Sequence, residues 1–156
     1  MPFWQQSRER KIMEHAEILK PVVALAAWTM LMWAWMYITR IPAMQKAEGL
    51  DVNNMVGGVG GDLDKVLPNK IQWIAHNYNH LHEAPTVFYA VALVLAITGW
   101  GDGMNATIAW AYVGLRIAHS LVQALWNRIM VRFTLFLLSS LALIALIVHA
   151  AMVVFH

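Results

Sequence analysis

The chain has 156 residues, of which 60 % are hydrophobic and 13 % charged, and its mean hydropathy is +0.53. Soluble domains carry about 25 % charged residues, so the composition excludes an ordinary soluble protein and reads as a membrane domain. Lys and Arg are scattered and the formal net charge is only +2, which excludes a nucleic-acid footprint, and the absence of Cys excludes disulfides, thiolate metal sites and a catalytic protein thiol.

The N-terminal stretch "SRERKIMEHAE" mixes both charge signs and lacks the apolar core and small-residue cleavage site of a secretory signal, so it is read as part of the mature protein. The first span covers about residues 18–39. Pro21 to Thr39 is uncharged, Arg40 closes it, and a spanning helix needs about 20 mostly apolar residues. Pro21 lies near the start, where its missing N–H is tolerated.

Residues 41–68 turn polar, and "GGVGGDLDK" has no periodicity, so this stretch is predicted to be a loop. Its glycines follow no predicted strand and lack the spacing of a dinucleotide fingerprint. A second helix is predicted over 69–98, capped near Asn69 after Pro68, polar in its first half and apolar in its second. The short glycine-rich turn "GWGDGMN" makes it an antiparallel neighbour of a third span over 106–127. A fourth span covers 132–155. The predicted fold is all-α: an integral membrane four-helix bundle with both termini on one face.

Arg40, Lys46, Lys65, Lys70, Arg128 and Arg132 fall on one side of the membrane. Arg8, Arg10, Lys11 and Lys20 fall on the other. By the positive-inside rule loops one and three are expected in the cytoplasm. Trp28, Trp33, Trp35 and Tyr37 bunch toward one end of the first span and read as interfacial anchors, and the ten Met read as packing residues.

Two spans carry polar stripes. His76, His80 and Glu83 share a helical face with Asn79 beside them, and Arg116, His119, Ser120, Gln123 and Asn127 do the same on the third span. An ionised side chain facing hydrocarbon costs roughly 2.5 to 3.5 kcal/mol on insertion scales, so these residues are expected to turn inward, with Glu83 and Arg116 paired. The histidines admit three readings: neutral core hydrogen-bonding groups, ligands of a transition metal through the His76–His80 spacing with Glu83 and His119, or an anion site.

The segments "NYNHLHEAPTVFY" and "AWAYVGLRIAHSLVQALWNRIMVRF" resemble the second and third helices of the MAPEG family, the membrane-associated proteins of eicosanoid and glutathione metabolism, and in particular a bacterial branch. The resemblance covers about Asn69 to the C-terminus. It implies a homotrimer in the bacterial inner membrane, with glutathione bound between subunits near the cytoplasmic face. The implied activity is transfer of glutathione to a hydrophobic electrophile or reduction of a lipid hydroperoxide.

On this resemblance Arg132, sixteen residues beyond Arg116, matches the arginine that stabilises the thiolate. Arg128 matches a second family arginine, Arg40 a basic residue near the end of the first helix, and Glu83 the second-helix glutamate. His76, Asn79 and His80 stand where glutathione-using members carry arginines and an asparagine, and Gln123 stands where a tyrosine is common. No protein metal site is implied. The alternatives are a non-catalytic structural or partner-binding membrane protein of this fold, or a histidine-based metal site.

Overall fold

The computed structural model describes residues 16–47, 50–51, 54 and 56–155, and Arg8, Arg10 and Lys11 lie outside them. No strand occurs among the described residues. Five α-helices follow one another in the described residues: α1 (Leu19–Lys46), α2 (Asn69–His80), α3 (Ala84–Ile97), α4 (Met104–Leu125) and α5 (Ile129–Phe155), with a 3₁₀ turn at Gly60–Lys65 before α2.

The predicted second helix is therefore two. Continuing through residue 85 would deprive the Leu81 carbonyl of its N–H partner and drive the Pro85 ring against it. The chain breaks instead at Leu81–Glu83. Glu83 leaves the helical region at φ −92°, ψ −105°, and its carbonyl accepts from the Thr86 hydroxyl at 2.7 Å, starting α3 with Pro85 in its first turn. The first helix also departs from expectation, running on to Lys46 past Pro42. Pro42 removes one donor only and stands within the last turn and a half, where the helix tolerates it.

Among the described residues three stretches are long and apolar enough to cross a membrane: Leu19–Lys46, Asn69–Ile97 taken across its break, and Ile129–Phe155. α4 has the length, at 22 residues, but spends its inward face on Arg116, His119, Ser120 and Gln123, all buried. α5 shows the complementary pattern. Leu137, Leu138, Leu141, Ile144 and Val148 are exposed, which in water would be costly and in hydrocarbon is not. The core is Leu25, Phe88, Leu95, Ala109, Tyr112 and Leu146 with their neighbours.

The ends of the bundle are chemically distinct. At one end the Ile18 N–H donates to Gly101 O at 2.8 Å, tying the start of α1 to the α3–α4 turn, which Gly99 and Gly103 close at positive φ. At the other, Arg40 Nη2 donates to Gly60 O at 2.6 Å, and the Gln72 side-chain amide donates to Leu63 O. The 3₁₀ turn is thereby tied to both α1 and α2.

Candidate functional site

The α4 stripe and the end of α2 meet over the start of α5. There His80, His119, Ile129, Arg132, Phe133 and Phe136 line a pocket of about 280 Å³. The His80 and His119 rings stand 5.0 Å apart, and Phe136 lies 5.7 Å from the first and 6.4 Å from the second. His80 Nδ1 is 2.6 Å from Glu83 Oε2. A carboxylate only accepts, so Nδ1 carries the proton and Nε2 is the atom left for a ligand.

Arg132 stands in the first turn of α5. Its Nη1 donates to Asn127 Oδ1 at 2.6 Å, and its Nε is buried with no hydrogen-bond partner among the described residues. Asn127 reaches this position because α4 ends at Leu125 and the chain turns through Asn127 at φ +50°, a conformation asparagine adopts more readily than most residues.

Behind the pocket Arg116 is 1 % exposed. Its guanidinium lies 5.5 Å from the Phe136 ring centroid and 5.8 Å from that of Tyr112, and none of its three nitrogens finds a hydrogen-bond partner among the described residues. The expected Glu83–Arg116 pair is not formed. The local i,i+3 partner His80 takes the carboxylate, and the break at Leu81–Glu83 turns Glu83 to the exterior.

The predicted α2 stripe separates into two. His76 is exposed and its Nε2 lies 3.0 Å from Asp64 of the 3₁₀ turn, whereas His80 pairs with Glu83. Asn79 is exposed. Among the described residues no three His, Cys, Asp or Glu side chains gather in a metal-ligand array. Arg40 lines a separate cavity with Met36, Tyr37 and Leu63, and Arg128 is exposed just before α5. Gln123 is buried on α4, one turn beyond His119, with Oε1 unpartnered among the described residues.

Sequence reasoning passed over Asn77, which is 1 % exposed. Its side-chain amide donates to Ser120 Oγ at 2.7 Å, and Trp28 Nε1 donates to the same oxygen at 3.0 Å. Three helices are thus joined at one hydroxyl, and Trp28 takes part in holding the bundle together. The available signal was register: Ile74, Asn77 and Leu81 share a helical face whose apolar members are buried. The pocket's apolar wall of Ile129, Phe133 and Phe136 also carried no motif.

No curated protein and no solved structure is detectably similar to the chain. The model of the MAPEG family matches residues 18–152. With that match over most of its length, and with three stretches able to cross a bilayer, the chain is an integral membrane protein that belongs to the MAPEG family, a family of glutathione and eicosanoid metabolism.

Proposed function

We propose that this protein is a membrane-bound glutathione-dependent transferase or peroxidase whose second substrate is a hydrophobic electrophile or a lipid hydroperoxide. The observation that carries the reading is the pocket in which His80, His119 and Arg132 meet an aromatic wall. Glutathione has two carboxylates, an ammonium and a thiol, so a site for it wants cationic donors and an acid. The residues present fit it: Arg132 lines the pocket with its Nε unpartnered among the described residues, and Glu83 is exposed beside the pocket histidine.

When bound, glutathione supplies the nucleophilic or reducing sulfur. Arg132 holds negative charge at that sulfur, since a neighbouring cation lowers a thiol pKa from about 8.5. Glu83 fixes the His80 ring, whose Nε2 accepts the proton released. Arg116 contributes positive field from behind Phe136, while Phe133, Phe136 and Ile129 exclude water and receive an apolar substrate. In this reading four spans form each subunit, a homotrimer completes the site's open side, and loops one and three face the cytoplasm of a bacterial cell at the inner membrane.

A second reading, a non-catalytic partner-binding membrane subunit, draws on one observation. Arg132 and Arg40 already donate to Asn127 and to Gly60 O, as structural arginines do. Calorimetric titration of glutathione into the detergent-purified protein separates the two. The catalytic reading expects saturable binding that falls at least about tenfold in Arg132→Ala, the loss of one charge-assisted bond. No binding in folded, oligomeric protein leaves the second reading standing.

A further inference from the structure

A second cavity, of about 450 Å³, opens at the other end of the bundle between the α3–α4 turn and α5. Gly99, Trp100, Met104, Asn105, His149 and Met152 lie around it, together with Asp102. Seventeen residues of α5 separate His149 from Arg132, roughly 25 Å at 1.5 Å per residue. The two sites do not overlap.

The polar groups here are set in one arrangement. The Asn105 side-chain amide nitrogen donates to Trp100 O at 2.9 Å, a bond that only the nitrogen can make, which turns Oδ1 toward α5. There Oδ1 lies 2.6 Å from His149 Nδ1. Because Oδ1 only accepts, Nδ1 carries the proton, and in the neutral ring Nε2 is a lone-pair acceptor. Asn105 is 5 % exposed and locked by two partners, whereas His149 is half-buried and lines the cavity.

A hydrogen bond between helices explains Nδ1 alone. It does not explain the cavity, and because the ring is rigid the same bond holds Nε2 as an acceptor on a residue that lines that cavity with Trp100, Asp102, Met104 and Met152. Small-molecule sites run from about 300 to 1,000 Å³, are mostly apolar, and carry a few fixed polar atoms that select the ligand. The atom fixed here selects a donor. Ketone, ester and carboxylate heads present only acceptors to it and leave Nε2 unpaired, whereas a hydroxyl completes it.

We infer that this cavity binds an apolar molecule carrying a hydroxyl group, a phenol or an alcohol, whose O–H donates to His149 Nε2 while its body packs on Trp100, Met104 and Met152. The site lies at the opposite end of the bundle from the glutathione pocket and does not depend on the activity proposed there.

The test uses 4-hexylphenol and its methyl ether, which share a shape and differ in the O–H. Each is titrated by equilibrium dialysis at pH 8 into the full-length protein in nanodiscs, with empty nanodiscs subtracted. The phenol is expected to bind saturably and about tenfold more tightly than the ether, the worth of one hydrogen bond to a fixed acceptor. His149→Phe removes the acceptor and is expected to equalise the two ligands. Met152→Trp fills the cavity from a position already half exposed, leaves the His149–Asn105 bond intact, and is expected to abolish saturable binding of both. Equal affinities in the unaltered protein, no saturable binding, or a phenol preference that survives His149→Phe overturns the inference.

Discussion

His80 and Glu83 are joined across the break between α2 and α3, with 2.6 Å between Nδ1 and Oε2. The bond takes the carboxylate from Arg116 and leaves that arginine near the rings of Tyr112 and Phe136, its nitrogens without a hydrogen-bond partner among the described residues. The two charged groups expected to neutralise each other thus act separately. One orients a pocket histidine, and the other places a fixed positive charge beneath the pocket.

A double-mutant cycle over His80→Ala and Glu83→Gln measures the first of these. The Glu83 side chain is 65 % exposed, and solvent screens the interaction, so the coupling in thermal or denaturant unfolding is expected to stay at or below about 1 kcal/mol. Glutathione affinity is expected to fall in both single variants. A coupling of several kcal/mol would make the pair a structural clamp.

Arg116→Met measures the second. A buried cation without a hydrogen-bonded partner carries its full desolvation cost, and replacing it with an apolar side chain of similar length is often neutral or stabilising. The expected result is a melting temperature equal to or above that of the unaltered protein, together with loss of glutathione binding. A large drop in melting temperature would show that the guanidinium is paired in the assembled protein.

The Ser120 hydroxyl receives two donors, from Asn77 on α2 and Trp28 on α1. Ser120→Ala removes the shared acceptor and strands both. At roughly 1 to 3 kcal/mol per buried unsatisfied group the loss is expected to be about 2 to 6 kcal/mol, read as a fall in unfolding midpoint. Asn77→Leu with Ser120→Ala leaves only Trp28 unpaired and is expected to recover part of it.

The helices and the stripe on α4 were legible because burial follows register. Arg116, His119, Ser120 and Gln123 recur at helical spacing in an apolar segment, and all four are buried. The partners were not legible. Helical spacing places His76, His80 and Glu83 on one face, but it is silent on Asp64, which captures His76 from a loop without periodicity. Pro85 did signal the break. A helix continued through it loses the Leu81 bond, so Pro85 marks the point where the second helix divides. Asn77 was hidden because a stripe drawn through the charged residues passes one position away from it.

Asn127 offers the sharpest separation of backbone from side chain. It holds φ +50°, where a Cβ is tolerated poorly except in asparagine and aspartate, and its Oδ1 fixes Arg132 Nη1. Asn127→Gly keeps the turn and removes the oxygen, so stability is expected to change by less than about 1 kcal/mol while Arg132 loses its anchor and glutathione binding weakens. Asn127→Ala loses both, adding roughly 1 to 2 kcal/mol of strain. If the Gly and Ala variants bind glutathione equally weakly but differ in unfolding midpoint, the side chain serves the site and the backbone serves the fold. If the Gly variant binds as well as the unaltered protein, Arg132 needs no anchor, and the role given to Asn127 in positioning it is withdrawn.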